Sequence, residues 1–138
     1  MFNKILLATD GSEHSIRAAE KAIALASTQR EAQLDIIYVI DIKQSKDDVL
    51  KHWGSEPTDK RKNKLMLIEQ KAKHAEVPFN TIFLHGEPGP TIVDFANKNA
   101  YDALVIGSRG LNAFQEMVLG SVSHKVAKRA KCPVMIVK

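Results

Sequence analysis

The chain has little sulfur, no long apolar run and none of the common nucleotide-binding signatures. A single cysteine, Cys132, excludes an internal disulfide. Its place before Pro133, at the head of an apolar run, predicts a buried thiol that packs rather than reacts. The opening apolar run, Ile5-Leu6-Leu7-Ala8, is far too short for a signal peptide or a membrane span, and no other stretch approaches spanning length. A cytoplasmic location and no membrane contact are therefore expected. There is no Gly-x-x-x-x-Gly-Lys-Ser/Thr and no Gly-x-Gly-x-x-Gly. A phospho-acceptor receiver domain would place an acidic pair after its first strand, but only Asp10 stands there. The five histidines (His14, His52, His74, His85, His124) show no tight metal-ligand spacing. No metal site is expected, and no serine–histidine–acid set can be assembled.

The net charge of +4 and pI of about 9.2 raise a nucleic-acid partner. The basic residues are spread over several segments, however. The densest clusters, Lys60-Arg61-Lys62-Asn63-Lys64 and residues 125–131, fall at expected helix ends. There Lys128, Arg129 and Lys131 serve the helix dipole without any partner, which argues against nucleic acid.

At 138 residues the chain is expected to be one domain, 1–138. Apolar runs at residues 5–8, 34–40, 79–84, 103–106 and 134–137 alternate with helical patterns. Near-continuous β-branched runs predict strands buried on both faces, as in a parallel sheet. Between them, Ile16, Ala19, Ile23 and Ala26 form one helical stripe, and Leu65, Ile68, Ala72 and Ala75 a second. A third helix is predicted to start at Pro90 and to carry Ile92, Phe95 and Ala96; a fourth carries Leu119, Val122, Val126 and Ala130. The order β-α-β-α-β-α-β-α-β predicts an α/β three-layer sandwich, an open five-stranded parallel sheet with helices on both faces. Residues 41–58, with Trp53, are expected to form a lid or insert, with a short helix over 46–52.

In such a sheet, ligands sit beyond the carboxyl ends of the strands, where the strand order reverses. Strand one is followed by Thr9-Asp10-Gly11-Ser12 and strand four by Gly107-Ser108-Arg109-Gly110, then nine residues, then Gly120-Ser121-Val122-Ser123. Glycines at 107, 110 and 120 let backbone bend and approach a ligand, and a helix start supplies unpaired N–H groups to phosphate. Ser121 is placed to cap that helix or to donate to a phosphate oxygen, Ser123 adds a second hydroxyl, and Arg109 a charged donor. Asp10 either caps the first helix or accepts ribose hydroxyls or magnesium-bound water. Gly86-Glu87-Pro88-Gly89 also matches Gly-x-x-Gly, so the short pattern alone says little.

Thr9-Asp10-Gly11-Ser12, the run Tyr101-Asp102-Ala103-Leu104-Val105-Ile106-Gly107-Ser108-Arg109-Gly110 and the close Cys132-Pro133-Val134-Met135-Ile136-Val137 resemble the universal stress protein family over essentially the whole chain. The glycine loop matches the pattern of that family's ATP-binding branch. The resemblance implies strand order 3-2-1-4-5, with ATP, with or without Mg2+, in the crevice between strands one and four. It places Ala8, Thr9 and Asp10 at the adenosine, with Asp10 on the ribose, and Val39 and Ile40 beside adenine. Backbone of Gly107, Arg109 and Gly110 would contact ribose and phosphates, and Gly120, Ser121, Val122 and Ser123 would hold the phosphate tail. It further implies a homodimer through the last strand, Val134 to Val137, which as an apolar edge would tend to pair. The function so implied is ATP-binding stress regulation. A slow ATPase and a dimeric module with another adenine nucleotide, or none, are the alternatives. No positioned hydrolytic base is evident, Asp10, Glu116 and His124 being only nominal ones.

Overall fold

In the computed structural model, residues 1–40, 57–108 and 120–138 are described. The expectations for the insert around Trp53, and for Arg109, Gly110, Glu116 and Leu119, lie outside them. The elements run β1 (Lys4–Thr9), α1 (Glu13–Ser27), β2 (Gln33–Ile40), α2 (Pro57–His74), β3 (Phe79–His85), α3 (Pro88–Lys98), β4 (Ala103–Gly107), α4 (Ser121–Arg129) and β5 (Val134–Val137). Among the described residues the strands form one parallel sheet in the order β3-β2-β1-β4-β5. The expected fold class and strand order are both met.

Period-two alternation sorts the strand side chains onto two faces. Ile5 and Leu7 of β1, with Leu34 and Ile36 of β2 and Val105 of β4, pack under α1 and α2. Leu6 and Ala8, with Ile37, Val39, Leu104 and Ile106, pack under α3 and α4. Fully burying one such Leu or Ile contributes roughly 1.5–3 kcal/mol, so the two cores dominate the fold. Burial on both faces holds for the inner strands only. Every residue of β4 is buried, whereas the edge strands β3 and β5 are half-exposed, leaving Phe83 and Met135 open to solvent. An outer strand lacks a neighbour on one side, and here its helices do not fully roof it.

The helices differ from expectation at their ends. α3 begins two residues early, at Pro88, with Glu87 as the preceding cap residue. Both prolines fit in the first turn, where an N–H has no intrahelical acceptor anyway. Ala75 falls just past α2, Ala130 is the C-cap of α4, and Cys132 is half-buried rather than buried. Burial still pushes the Cys132 thiol pKa up, in keeping with a packing role. The Lys60–Lys64 cluster lies in the first two turns of α2, not at its C-terminal end.

Opposite the carboxyl ends of the strands, Asp35 brings a carboxylate into the second core. Tyr101 donates its hydroxyl to Asp35 Oδ2 at 2.7 Å, and the Lys4 ammonium lies 4.8 Å from the Tyr101 ring centroid. Asp102 Oδ2 accepts the N–H groups of Asn3 and Lys4 at 3.0 and 2.9 Å. These bonds fasten the α3–β4 turn to the start of β1. Burial first, and the bond to Asp35 second, push the Tyr101 phenol well above its ordinary range. The fold thus favours the neutral phenol. That contribution is complete below the unfolded phenol pKa of about 10 and is lost as pH rises beyond it. Tyr101→Phe strips the donor from a buried carboxylate and should cost about 1–3 kcal/mol in urea unfolding at neutral pH. Its stability should also fall less steeply than the parent's above pH of about 10.

Candidate functional site

Between β1 and β4 the winding of the chain reverses: β1 leads outward to β2 and β3 on one side, and β4 leads to β5 on the other. The loops leaving β1 and β4 therefore diverge and open a crevice. Ala8 stands opposite Ile106 in the register, so Thr9 and Gly107 leave the sheet side by side. The two loops singled out from the sequence thus start from adjacent strand ends.

On the β1 side, the turn is built from short-range hydrogen bonds. Gly11 N–H donates to Thr9 Oγ1 at 3.2 Å and Ser12 N–H to Asp10 Oδ1 at 2.9 Å. Ser12 is the N-cap of α1, its Oγ accepting from Ser15 N–H at 3.3 Å. Asp10 thus braces the turn while Ser12 caps the helix. Gly11 has φ +75, and a Cβ there would lie 2.8 Å from Arg61 Cβ and 3.1 Å from Tyr38 Cε2. So α2 presses directly on the turn that carries Asp10, through an arginine that the sequence pattern did not single out. Val39 is buried and Ile40 half-buried at the end of β2, where Ile40 C=O accepts Gly86 N–H at 3.0 Å. Val39 packs with Ala8 in the core under α3 and α4, and by strand alternation Ile40 turns to the opposite face.

On the β4 side, the ends of the loop are pinned together. Ser108 is buried; its N–H donates to Val137 C=O at 2.8 Å, and its C=O accepts Gly120 N–H at 2.7 Å. The Ser123 hydroxyl is buried and donates to Gly107 C=O at 2.5 Å. With that proton committed, Ser123 can offer an anion its N–H but not its hydroxyl. The N-cap of α4 is Gly120, with no side-chain cap bond, and Ser121 is the exposed first helical residue. The expectation of a serine cap is corrected accordingly. Gly120 has φ −69, open to any residue, so nothing in its conformation demands glycine. His124 N–H closes the first helical hydrogen bond onto Gly120 C=O at 2.9 Å. The N–H groups of Ser121, Val122 and Ser123 precede it and have no intrahelical acceptor. Three donors and the positive end of a helix dipole thus open at the reversal of the sheet, a ready arrangement for an anion.

The wall beside α4 went unnoticed in the sequence. Lys125 Nζ lies 3.9 Å from Glu87 Oε1, and its stem covers Gly89, where a Cβ would come within 2.7 Å of Lys125 Cδ. Gly86 has φ +142, and a Cβ there would meet Thr91 Oγ1 at 2.7 Å. The second Gly-x-x-Gly is therefore a turn and a packing contact. His85 is exposed at the end of β3. Among the described residues no group of three or more His, Cys, Asp or Glu could hold a metal ion.

An open parallel α/β domain with an anion-accepting helix start at its strand-order reversal is the class of protein this geometry defines. The chain belongs to the universal stress protein family, whose family model matches residues 1–138. The universal stress protein YxiE of Bacillus subtilis is 37% identical, with 100% of both chains covered. The structure is similar to that of MJ0577 from Methanocaldococcus jannaschii, with TM-score 0.81 and 28% identity over 100% of this chain and 96% of that one. It is also similar to a universal stress protein solved in complex with cAMP, with TM-score 0.72 and 27% identity over 99% of this chain and 97% of that one. No helix among the described residues is long and apolar enough to cross a membrane.

Gly11→Ala should destabilise the protein by about 1–2 kcal/mol from the left-handed backbone alone, plus whatever Arg61 must give up to make room. Chemical unfolding measures the loss. A second change, Arg61→Ala, removes the Cγ contact at 3.0 Å but keeps the Cβ at 2.8 Å, so it should recover only part of the packing loss and leave the backbone part.

Proposed function

We propose that this protein is an ATP-binding regulatory protein of the stress response, cytoplasmic, acting as a homodimer through β5. The observation that carries the reading is the unpaired first turn of α4, opening beside the β1 turn on a pinned loop root. Triphosphate chemistry fits these donors: the N–H groups of Ser121, Val122 and Ser123, the exposed Ser121 hydroxyl, and a helix first turn with no acidic residue to repel an anion. Backbone of Gly107, Arg109, Gly110 and Gly120 would complete the phosphate cradle, and the Arg109 guanidinium would supply charge. Val39 and Ile40, with Ala8, would flank adenine, and Thr9 and Asp10 stand where a ribose would lie. Mg2+ would arrive with the phosphates, Asp10 being the carboxylate at hand for one of its waters.

The relative solved with cAMP favours a second reading, in which the same crevice takes another adenine nucleotide. A slow ATPase is the third. Heat or acid release of whatever co-purifies, followed by chromatography and mass measurement, separates them. Retained ATP supports the first, a cyclic or monophosphate nucleotide the second, and ADP with steady phosphate release the third. Gly110→Val should abolish retention with unfolding unchanged, because it blocks the loop and not the core. Asp10→Ala should weaken ATP by about 1–3 kcal/mol in calorimetry if its carboxylate takes a ribose hydroxyl. Unchanged affinity in that variant would leave Asp10 a brace of the turn only.

A further inference from the structure

We propose that the free edge of β3 and the adjoining flank of α2 form a docking surface for an extended acidic segment of a partner protein, which adds to the sheet as a further strand. β3 is the outermost strand on its side, seven residues long, and carries no lysine, proline or carboxylate. Those are the devices that ordinarily discourage pairing at an edge. Leu34 N–H donates to Pro78 C=O at 2.9 Å and Gly86 N–H to Ile40 C=O at 3.0 Å. Alternation along a parallel ladder between these two bonds turns the backbone of Asn80, Ile82 and Leu84 toward β2. The N–H and C=O groups of Thr81 and Phe83 then face outward, where no described residue bonds them.

The side chains around that edge are apolar and cationic. Phe83 is 54% exposed, its ring centroid 5.9 Å from that of Tyr38. The Thr81 hydroxyl donates to Glu69 Oε2 at 2.7 Å, which lays one flank of α2 along β3. Lys62, Met66 and Lys73 recur at helical spacing with Glu69 on that flank, all three exposed, Met66 at 54%. Across its whole length α2 bears Lys60, Arg61, Lys62, Lys64, Lys71 and Lys73 against Asp59 and Glu69, a net +4. The formal net charge of the entire chain is also +4, so the excess charge resides on this one helix. Four of the six cations occupy its first two turns, where the helix dipole disfavours them. Lys71 pairs with Glu20 at 3.4 Å and Arg61 packs on the Gly11 turn, so Lys62 and Lys73 are the cations carried on the β3 flank.

These features select the occupant. A two-fold pairing of β3 with itself would bring two such helices together, so like charge opposes a second copy. Alternating outward N–H and C=O groups are matched by another peptide backbone, as in strand addition, and not by a phosphate chain or a lipid surface. The cations call for carboxylates on the added strand, and Phe83 and Met66 for apolar side chains between them.

The test uses the full chain, 15N-labelled, and an end-blocked peptide of alternating glutamate and valine as long as β3. The Thr81 and Phe83 amides should gain hydrogen-exchange protection on titration, while Ile82 and Leu84 keep theirs unchanged. Binding should weaken with added salt and vanish when lysine replaces glutamate in the peptide. Phe83→Lys should abolish the gain and leave thermal unfolding where it was. The proposal is overturned by any of three results: no added protection at millimolar peptide, equal binding of the lysine peptide, or protection that rises with protein concentration in the absence of peptide, which would mean self-pairing. None of these readouts depends on nucleotide, so the proposal stands or falls apart from the assignment of the crevice.

Discussion

The reversal of winding between β1 and β4 is the constraint from which the rest of the structure follows. Right-handed crossovers carry the chain outward through β2 and β3 on one side and through β5 on the other. That places α1 and α2 on one face and α3 and α4 on the opposite one. It buries all of β4 and all of β1 but Lys4, which is why their sequences are near-continuous in apolar residues. It also sends the chain in opposite directions after β1 and after β4, the arrangement that opens a crevice at the carboxyl ends of adjacent strands.

Within that crevice, hydrogen bonding decides what each residue can offer. Ser108 is spent at both ends of its peptide unit, on Val137 and on Gly120, and the Ser123 hydroxyl is spent on Gly107. These bonds leave the loop root with no freedom and leave the first turn of α4 with its donors unpaired. Asp10 works in the same way on the facing side, holding Ser12 N–H in place as α1 begins. A site assembled from fixed backbone donors needs few charged side chains, which explains why composition said little about it.

Much of this was legible in the sequence. Five apolar runs gave the strands to within a residue or so at each end, because the inner strands are roofed on both faces and the edge strands keep at least one apolar face. The glycine spacing and the position of Asp10 pointed to the two loops that start from adjacent strand ends. The failures were at places where tertiary contact outweighs local pattern. The bonding of Ser108 depends on Val137 of β5 and the commitment of the Ser123 hydroxyl on Gly107 of β4, partners distant in sequence that no local signal reveals. Either proline suits a helix start, so the pattern does not tell Pro88 from Pro90, and the helix begins at the first of them. The basic run at 60–64 does fall at a helix end, the N-terminal one, ahead of the apolar stripe that begins at Leu65. The order of strands came from family resemblance; periodicity alone does not specify it.

The lysine stem laid over Gly89 has a mechanical meaning. It joins the opening turns of α3 and α4 through a contact with bare backbone, so the two helix starts on that face form a single stiff jaw. To spread them, four methylenes must slide off a surface that has no side chain to follow. A side chain added at Gly89 would therefore displace the Lys125 stem and be felt on α4, although the two helices belong to different crossovers.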